Sequence, residues 1–169
     1  MAVEADGLLV RADGRSEHWW GITKLLVKER GSVVNSSEYE VTKTDEQWRD
    51  DLNPAEYAVL RQAATERPGT GELLHEDRIG VYSCRACGNK LFESRTKFEA
   101  HCGWPSFYES AGPEAVEYLE DRSLGMVRTE VRCAKCGSHL GHVFKDAPQT
   151  PTGDRYCMNS IALDFETLD

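Results

Sequence analysis

Hydrophobic and polar positions along the chain change texture twice. Thr44-Asp45-Glu46-Gln47 has the pattern of a capping box, and Asn53-Pro54-Ala55-Glu56 sets a cap residue, a first-turn proline and an acidic third position before an apolar-periodic stretch. Two short helices are predicted there. In the second, Tyr57, Leu60 and Ala64 share one face, and Pro68-Gly69 forbids continuation. Such a face marks a packing helix without chemistry of its own. Upstream, residues 1–40 mix charges and small residues with isolated apolar pairs (Trp19-Trp20, Leu25-Leu26). They read as a loosely ordered extension to a domain spanning residues 41–169.

After Gly71 the pattern becomes short β-type runs broken by Gly and Pro. Residues 126–132 alternate Met126, Arg128, Glu130 and Arg132 against Val127, Thr129 and Val131, as a half-buried strand does. The run from Arg155 to Phe165 alternates too, with Arg155, Cys157, Asn159, Ile161, Leu163 and Phe165 on one face. The predicted fold is mainly antiparallel β with helices before it.

A chain of 169 residues, 40% of them apolar, makes one ordinary domain with a core. Lys and Arg number 20 against 29 Asp and Glu, a net charge of -9, which is the wrong sign for a surface that must neutralise phosphates. Nucleic acid is not an expected partner. Nor is a membrane, because the longest apolar run is Tyr57-Ala58-Val59-Leu60, one helical turn. The opening MAVEADGLLVRADGR has neither a basic leader nor a continuous apolar stretch, so a reducing cytoplasm is the expected compartment.

In that compartment six cysteines suggest metal or redox chemistry rather than a disulfide framework. Cys84-Arg85-Ala86-Cys87 and Cys133-Ala134-Lys135-Cys136 are two CxxC knuckles, each followed by glycine (Gly88, Gly137). Four thiolates suit a closed zinc tetrahedron with no vacancy for water. The knuckles are separated by residues 88–132, more than in a zinc ribbon, so one structural Zn²⁺ is expected to tie down an inserted β segment. A redox-active CxxC of thioredoxin type is the competing reading. It predicts metal-free protein and a reactive Cys84 or Cys87.

Cys102 and Cys157 remain. Arg155, Cys157 and Asn159 should project from one side of a strand, about 7 Å apart, where a unit charge at an effective dielectric near 20 is worth roughly 2.4 kcal/mol. That is enough to draw a thiol of ordinary pKa near 8.5 towards neutrality. A small buried hydrophobe is the plain alternative for Cys157. His139-Leu140-Gly141-His142 supplies two imidazoles able to move protons, and Gly141 suits a bulge that would change which side each ring faces. Cys102-Gly103-Trp104-Pro105-Ser106-Phe107 joins a thiol to two aromatics, which could wall a pocket for a methyl or sulfur group or serve packing alone. A zinc-stapled binding module would leave both thiols idle.

The strings GTGELL, SCRACGNKLF, TKFEAHCGWPSF, EDRSLGMVRTEVRCAKCGSHLGHVF and PTGDRYCMNSIALDF resemble the zinc-containing methionine-R-sulfoxide reductases, the B type, from about Tyr57 to Phe165. The resemblance implies two coiled antiparallel sheets (an Mss4-like β-tent) with short N-terminal helices and a four-cysteine zinc site at Cys84, Cys87, Cys133 and Cys136. It implies that Cys157 attacks the sulfoxide sulfur while His142 and Asn159 handle the oxygen. Cys102 then resolves the resulting sulfenic acid as a disulfide that thioredoxin reduces. Trp104 and Phe107 resemble the methyl pocket, and His139 and Arg155 resemble groups that orient substrate and stabilise thiolate. Oxidised methionine in peptides or proteins is the implied substrate, and a monomer is expected. Two departures stand out: His101 where glycine commonly precedes the cysteine, and Thr150, which lengthens the loop before Pro151-Thr152-Gly153.

Overall fold

A computed structural model describes residues 39–168, so the expected extension lies, but for its last two residues, outside them. Helix α1 (Asp45–Asp51) begins as predicted, with Thr44 Oγ1 accepting from the Gln47 N–H and Gln47 Oε1 accepting from the Thr44 N–H. Helix α2 (Pro54–Gln62) is capped the same way, with Asn53 Oδ1 accepting from both Ala55 and Glu56 N–H. It stops earlier than Pro68-Gly69 requires: Ala63 turns left-handed at φ 54° and Ala64 is exposed, so the buried face is Tyr57, Val59 and Leu60.

Nine strands follow among the described residues: β1 (Gly80–Cys84), β2 (Lys90–Glu93), β3 (Lys97–Phe98), β4 (Ser106–Phe107), β5 (Val116–Asp121), β6 (Arg128–Cys133), β7 (His139–Ala147), β8 (Gly153–Met158) and β9 (Leu163–Thr167). They form two antiparallel sheets, ordered β2-β1-β9 and β3-β4-β8-β7-β6-β5. The expected mainly β fold is what the chain adopts. The alternating run from Arg155 to Phe165 is not one strand, however. A 3₁₀ turn at Ser160–Ala162 divides it and carries the chain from the larger sheet into the smaller one. Likewise Met126 and Val127 are exposed ahead of β6, and Glu130 on that strand is buried.

The core lies between the sheets. Tyr82 and Phe92 of the smaller sheet meet Phe107 and Tyr156 of the larger: Phe92 stacks on Phe107 at 4.4 Å between ring centroids, Tyr82 meets Phe107 edge-on at 4.9 Å, and Phe92 meets Tyr156 at 5.6 Å. Each such ring removed from water contributes on the order of 1.5–3 kcal/mol.

Candidate active site

The paired cysteines come together across the two sheets, because Cys84 ends β1 and Cys133 ends β6. Gly88 at φ 72° and Gly137 at φ 70° let each knuckle turn back, their N–H groups donating to the Cys84 and Cys133 carbonyls at 2.8 Å. Sγ atoms of Cys84 and Cys136 lie 3.8 Å apart, those of Cys87 and Cys133 3.6 Å, and all four within 4.8 Å of one another. A tetrahedron of thiolates at about 2.3 Å from zinc has edges near 3.8 Å, so the four sulfurs fit such an ion.

A second cluster is built by strand register. Ser106 on β4 and His142 on β7 are both the direct cross-strand partners of Cys157 on β8, and direct partners point to one side of a sheet. His139 and His142, an odd number of residues apart, would face opposite sides of a regular strand. The register shift where Val131 pairs with Gly141 and Arg132 with His139 brings both rings to one side, 5.5 Å apart. Only glycine fits at 141, since a Cβ there would sit 2.1 Å from the Cys157 carbonyl oxygen.

Cys102 reaches Cys157 from the loop before β4. That loop is left-handed on both sides of the cysteine, His101 at φ 52° and Gly103 at φ 94°, a backbone conformation that favours glycine. The Sγ atoms of Cys102 and Cys157 are 3.6 Å apart, and Ser106 Oγ lies 3.3 Å from Cys102 Sγ. Two thiols so placed share a hydrogen bond when one is ionised. The Cys157 S–H, Ser106 and Arg155 draw Cys102 down to about 5 against its burial, while the Cys102 partner and burial push Cys157 up. In the reduced pair the Cys102 partner and burial thus oppose the pull of Arg155 expected to ionise Cys157. Arg155 does act to lower Cys157, but its guanidinium is clamped by Asp146 through Nε at 2.9 Å and Nη2 at 2.6 Å and covers the Phe144 ring.

Beside Cys157 lies a cavity of about 110 Å³ lined by Thr65, Trp104, Arg128, Gly141, His142, Phe144, Cys157 and Asn159. Trp104 is held by its indole N–H donating to the Glu66 carbonyl at 3.2 Å. The Asn159 side chain accepts from the Glu66 N–H at 3.0 Å and donates to the Leu140 carbonyl at 2.9 Å, leaving one amide N–H for the cavity. Glu66 itself accepts from the Ser160 and Ile161 N–H groups at 2.6 and 3.0 Å, locking the turn after Asn159. His142 Nε2 lies 2.8 Å from Asp121 Oδ2.

Two expected pocket residues are elsewhere. Phe107 is fully buried between the sheets, because β4 turns its side chain into the core, and Phe144 stands with Trp104 as the apolar wall instead. His139 is only 4% exposed, behind His142, with Nδ1 2.6 Å from Glu130 Oε1. Thr65, Glu66, Asp121, Arg128 and Phe144 carry no spacing signal in the sequence, and only the folded register brings them here.

The SelR domain family matches residues 52–167. A "Peptide methionine sulfoxide reductase MsrB" of Leifsonia xyli is 68% identical over 136 residues, covering 80% of this chain and 98% of that protein. Proteins of the same name from Bradyrhizobium diazoefficiens and Methanosarcina barkeri are 56% and 54% identical, covering 79% and 75% of this chain and 95% and 89% of theirs. Among solved structures, a Mis18 "Yippee-like" domain aligns with a TM-score of 0.44 and 19% identity, over 54% of this chain and 99% of that one. The chain belongs to the SelR family, the B-type methionine-R-sulfoxide reductases, and is an oxidoreductase acting on methionine sulfoxide.

Proposed function

We propose that the chain reduces the R epimer of methionine sulfoxide in peptides and oxidised proteins by a thiol mechanism, with thioredoxin as the final reductant. The observation that carries this reading is the 3.6 Å approach of the Cys102 and Cys157 sulfurs at the edge of a cavity walled by Trp104 and Phe144. Those rings suit the apolar methyl group, with sulfur–aromatic contact adding about 0.3–1.5 kcal/mol.

Cys157 attacks the sulfoxide sulfur. The oxygen moves to Cys157, the thiol proton ends on that oxygen, and methionine leaves reduced, so a sulfenic acid replaces the thiol. His142 and the remaining Asn159 N–H face that oxygen. Cys102, as its anion, then attacks the Cys157 sulfur and closes a disulfide while the hydroxyl leaves as water with a proton from solvent, which needs the sulfurs to draw in from 3.6 Å to about 2.05 Å. A dithiol of thioredoxin returns both thiols and is itself oxidised. Arg155, braced by Asp146, supports the anionic form of the pair, and His139 backs the His142 ring.

The Cys84, Cys87, Cys133 and Cys136 sulfurs would hold a structural Zn²⁺ that staples the two sheets and takes no part in the reaction. The domain of residues 41–169 works as a cytoplasmic monomer without nucleic acid or membrane. Among the described residues no helix is long and apolar enough to cross one.

The test incubates the full chain with R and S epimers, free and in a short peptide, with and without thioredoxin. Expected are about one methionine per chain without reductant, turnover with it, R over S, and no product from Cys157→Ser. Undiminished product from Cys157→Ser refutes the thiol mechanism.

A further inference from the structure

The β5–β6 hairpin ends in a charged pair that neither the thiol chemistry nor the core requires. Asp121 and Arg128 are direct cross-strand partners, and Arg128 Nη2 donates to Asp121 Oδ2 at 2.7 Å. The same oxygen lies 2.8 Å from His142 Nε2. Asp121 Oδ1 accepts from the Ser123 N–H at 2.8 Å, and Arg128 Nη2 also reaches Ser123 Oγ at 3.2 Å. Arg128 lines the cavity beside Cys157, and its Nε is buried with no hydrogen-bond partner among the described residues. A buried donor left unpaired is costly, so the position calls for a reason.

We propose that Arg128 is a positioning residue for the reduction: it fixes Asp121, Asp121 holds a proton on Nε2 of His142, and the imidazole meets the sulfoxide neutral, with Nδ1 the nitrogen left for the cavity. This rests on the thiol mechanism proposed above and adds the order of its proton steps. A neutral imidazole has no proton to give at Nδ1. It takes the Cys157 thiol proton as the sulfur attacks and passes it to the oxygen leaving the substrate, so the sum is unchanged: thiol and sulfoxide in, sulfenic acid and methionine out.

Charges around the ring favour that order. Asp121 on β5 would raise His142, but it shares its charge with Arg128 on β6. Burial, Arg128 and His139 on β7 together outweigh it and lower His142. The Asp121 carboxyl is held far below the usual range by Ser123, His142 and Arg128, so it stays an anion and an acceptor. Glu130, opposite His142 on β6, spends its charge on His139 and Arg132. Cys157 on β8 is the remaining neighbour, and its proton, shared with Cys102 in the resting pair, is the one the ring takes up.

The experiment measures methionine formed in a single turnover, without reductant, across pH, for the full chain and for Arg128→Met and Arg128→Lys. Nitrogen NMR of the histidines reads the His142 tautomer in parallel. Expected are a neutral Nε2–H tautomer and, for Arg128→Met, roughly a tenfold loss at neutral pH with the acid limb moved to higher pH. Arg128→Lys should restore the limb but only part of the rate, because one ammonium cannot reproduce the planar fork across Asp121 and Ser123. An acid limb unmoved in Arg128→Met, or His142 protonated on Nδ1 alone, overturns the proposal. Should Arg128→Met fail to fold, the tautomer and the Lys variant decide. A wild-type chain inert towards the sulfoxide would instead overturn the mechanism beneath it, while the tautomer would still be readable.

Discussion

Replacing Cys102 by Ser removes the partner that raises Cys157, and the structure sets the size of the effect. Charge on one sulfur acts on the other across 3.6 Å. At an effective dielectric near 20 a unit charge at that distance is worth about 4–5 kcal/mol, some three pH units. Solvent at the cavity mouth cuts this to half or less. In Cys102→Ser the Cys157 thiol should therefore titrate lower than in the wild type, by up to about 1.5 pH units.

The assay is pulsed alkylation read by peptide mass mapping, with thiolate absorbance followed in parallel. In the reduced wild type, labelling near pH 6 should fall on Cys102, whose titration lies at about 5, with Cys157 modified slowly. In Cys102→Ser the label should move to Cys157. The variant should still yield one methionine per chain and stop there, its sulfenic acid open to a dione trap and closed to thioredoxin. Wild-type protein that alkylates first at Cys157 and leaves Cys102 untouched would refute the assignment of charge.

Four other outcomes are expected. Gly141→Ala forces a Cβ to within 2.1 Å of the Cys157 carbonyl oxygen, so thermal melting should show a loss of more than about 2 kcal/mol, and a Tm within a degree of wild type would contradict the packing. Cys133→Ser or a strong chelator should release one zinc per chain and collapse the melting transition, because the four sulfurs join both sheets. His101→Gly relieves a left-handed backbone at φ 52° and should raise stability by up to about 1 kcal/mol in urea titrations; a loss would mean that the imidazole makes a contact that matters more. Burial would raise Glu130, yet His139 and Arg132 hold it down to about 2, so its stabilising share is present above its unfolded pKa and is lost as pH falls from about 4.5 towards about 2. Glu130→Gln should flatten acid unfolding in that window.

What the sequence made legible follows from how each signal is encoded. Helix caps and CxxC knuckles are local: Thr44 with Gln47, Asn53 with Glu56, and each cysteine pair lie within one turn, so reading them needs no fold. Cys102, Cys157, His142, Arg155 and Asn159 were reachable through chemistry and resemblance, while Asp121 and Arg128 were not. Asp121 and Arg128 stand next to each other only because β5 and β6 pair in that register, and nothing in EDRS or MVRT distinguishes them from surface charge.

Phe107 shows the opposite failure. It sits in a string whose cysteine and Trp104 serve the site, yet alternation on a two-residue strand sends Ser106 to the thiols and Phe107 into the core. Period-2 alternation also concealed the break between Arg155 and Phe165, since a chain that turns at Ser160–Ala162 and enters a second sheet can keep its apolar rhythm while changing the surface it covers. Alternation reports burial against something, and which sheet supplies that something is settled by pairing. The chemistry of this site depends on that pairing: one bulge at Gly141 decides that His142 faces Cys157 with His139 behind it. A one-residue slip of β7 would keep the two thiols together and turn the His142 ring to the other face of the sheet, away from Cys157.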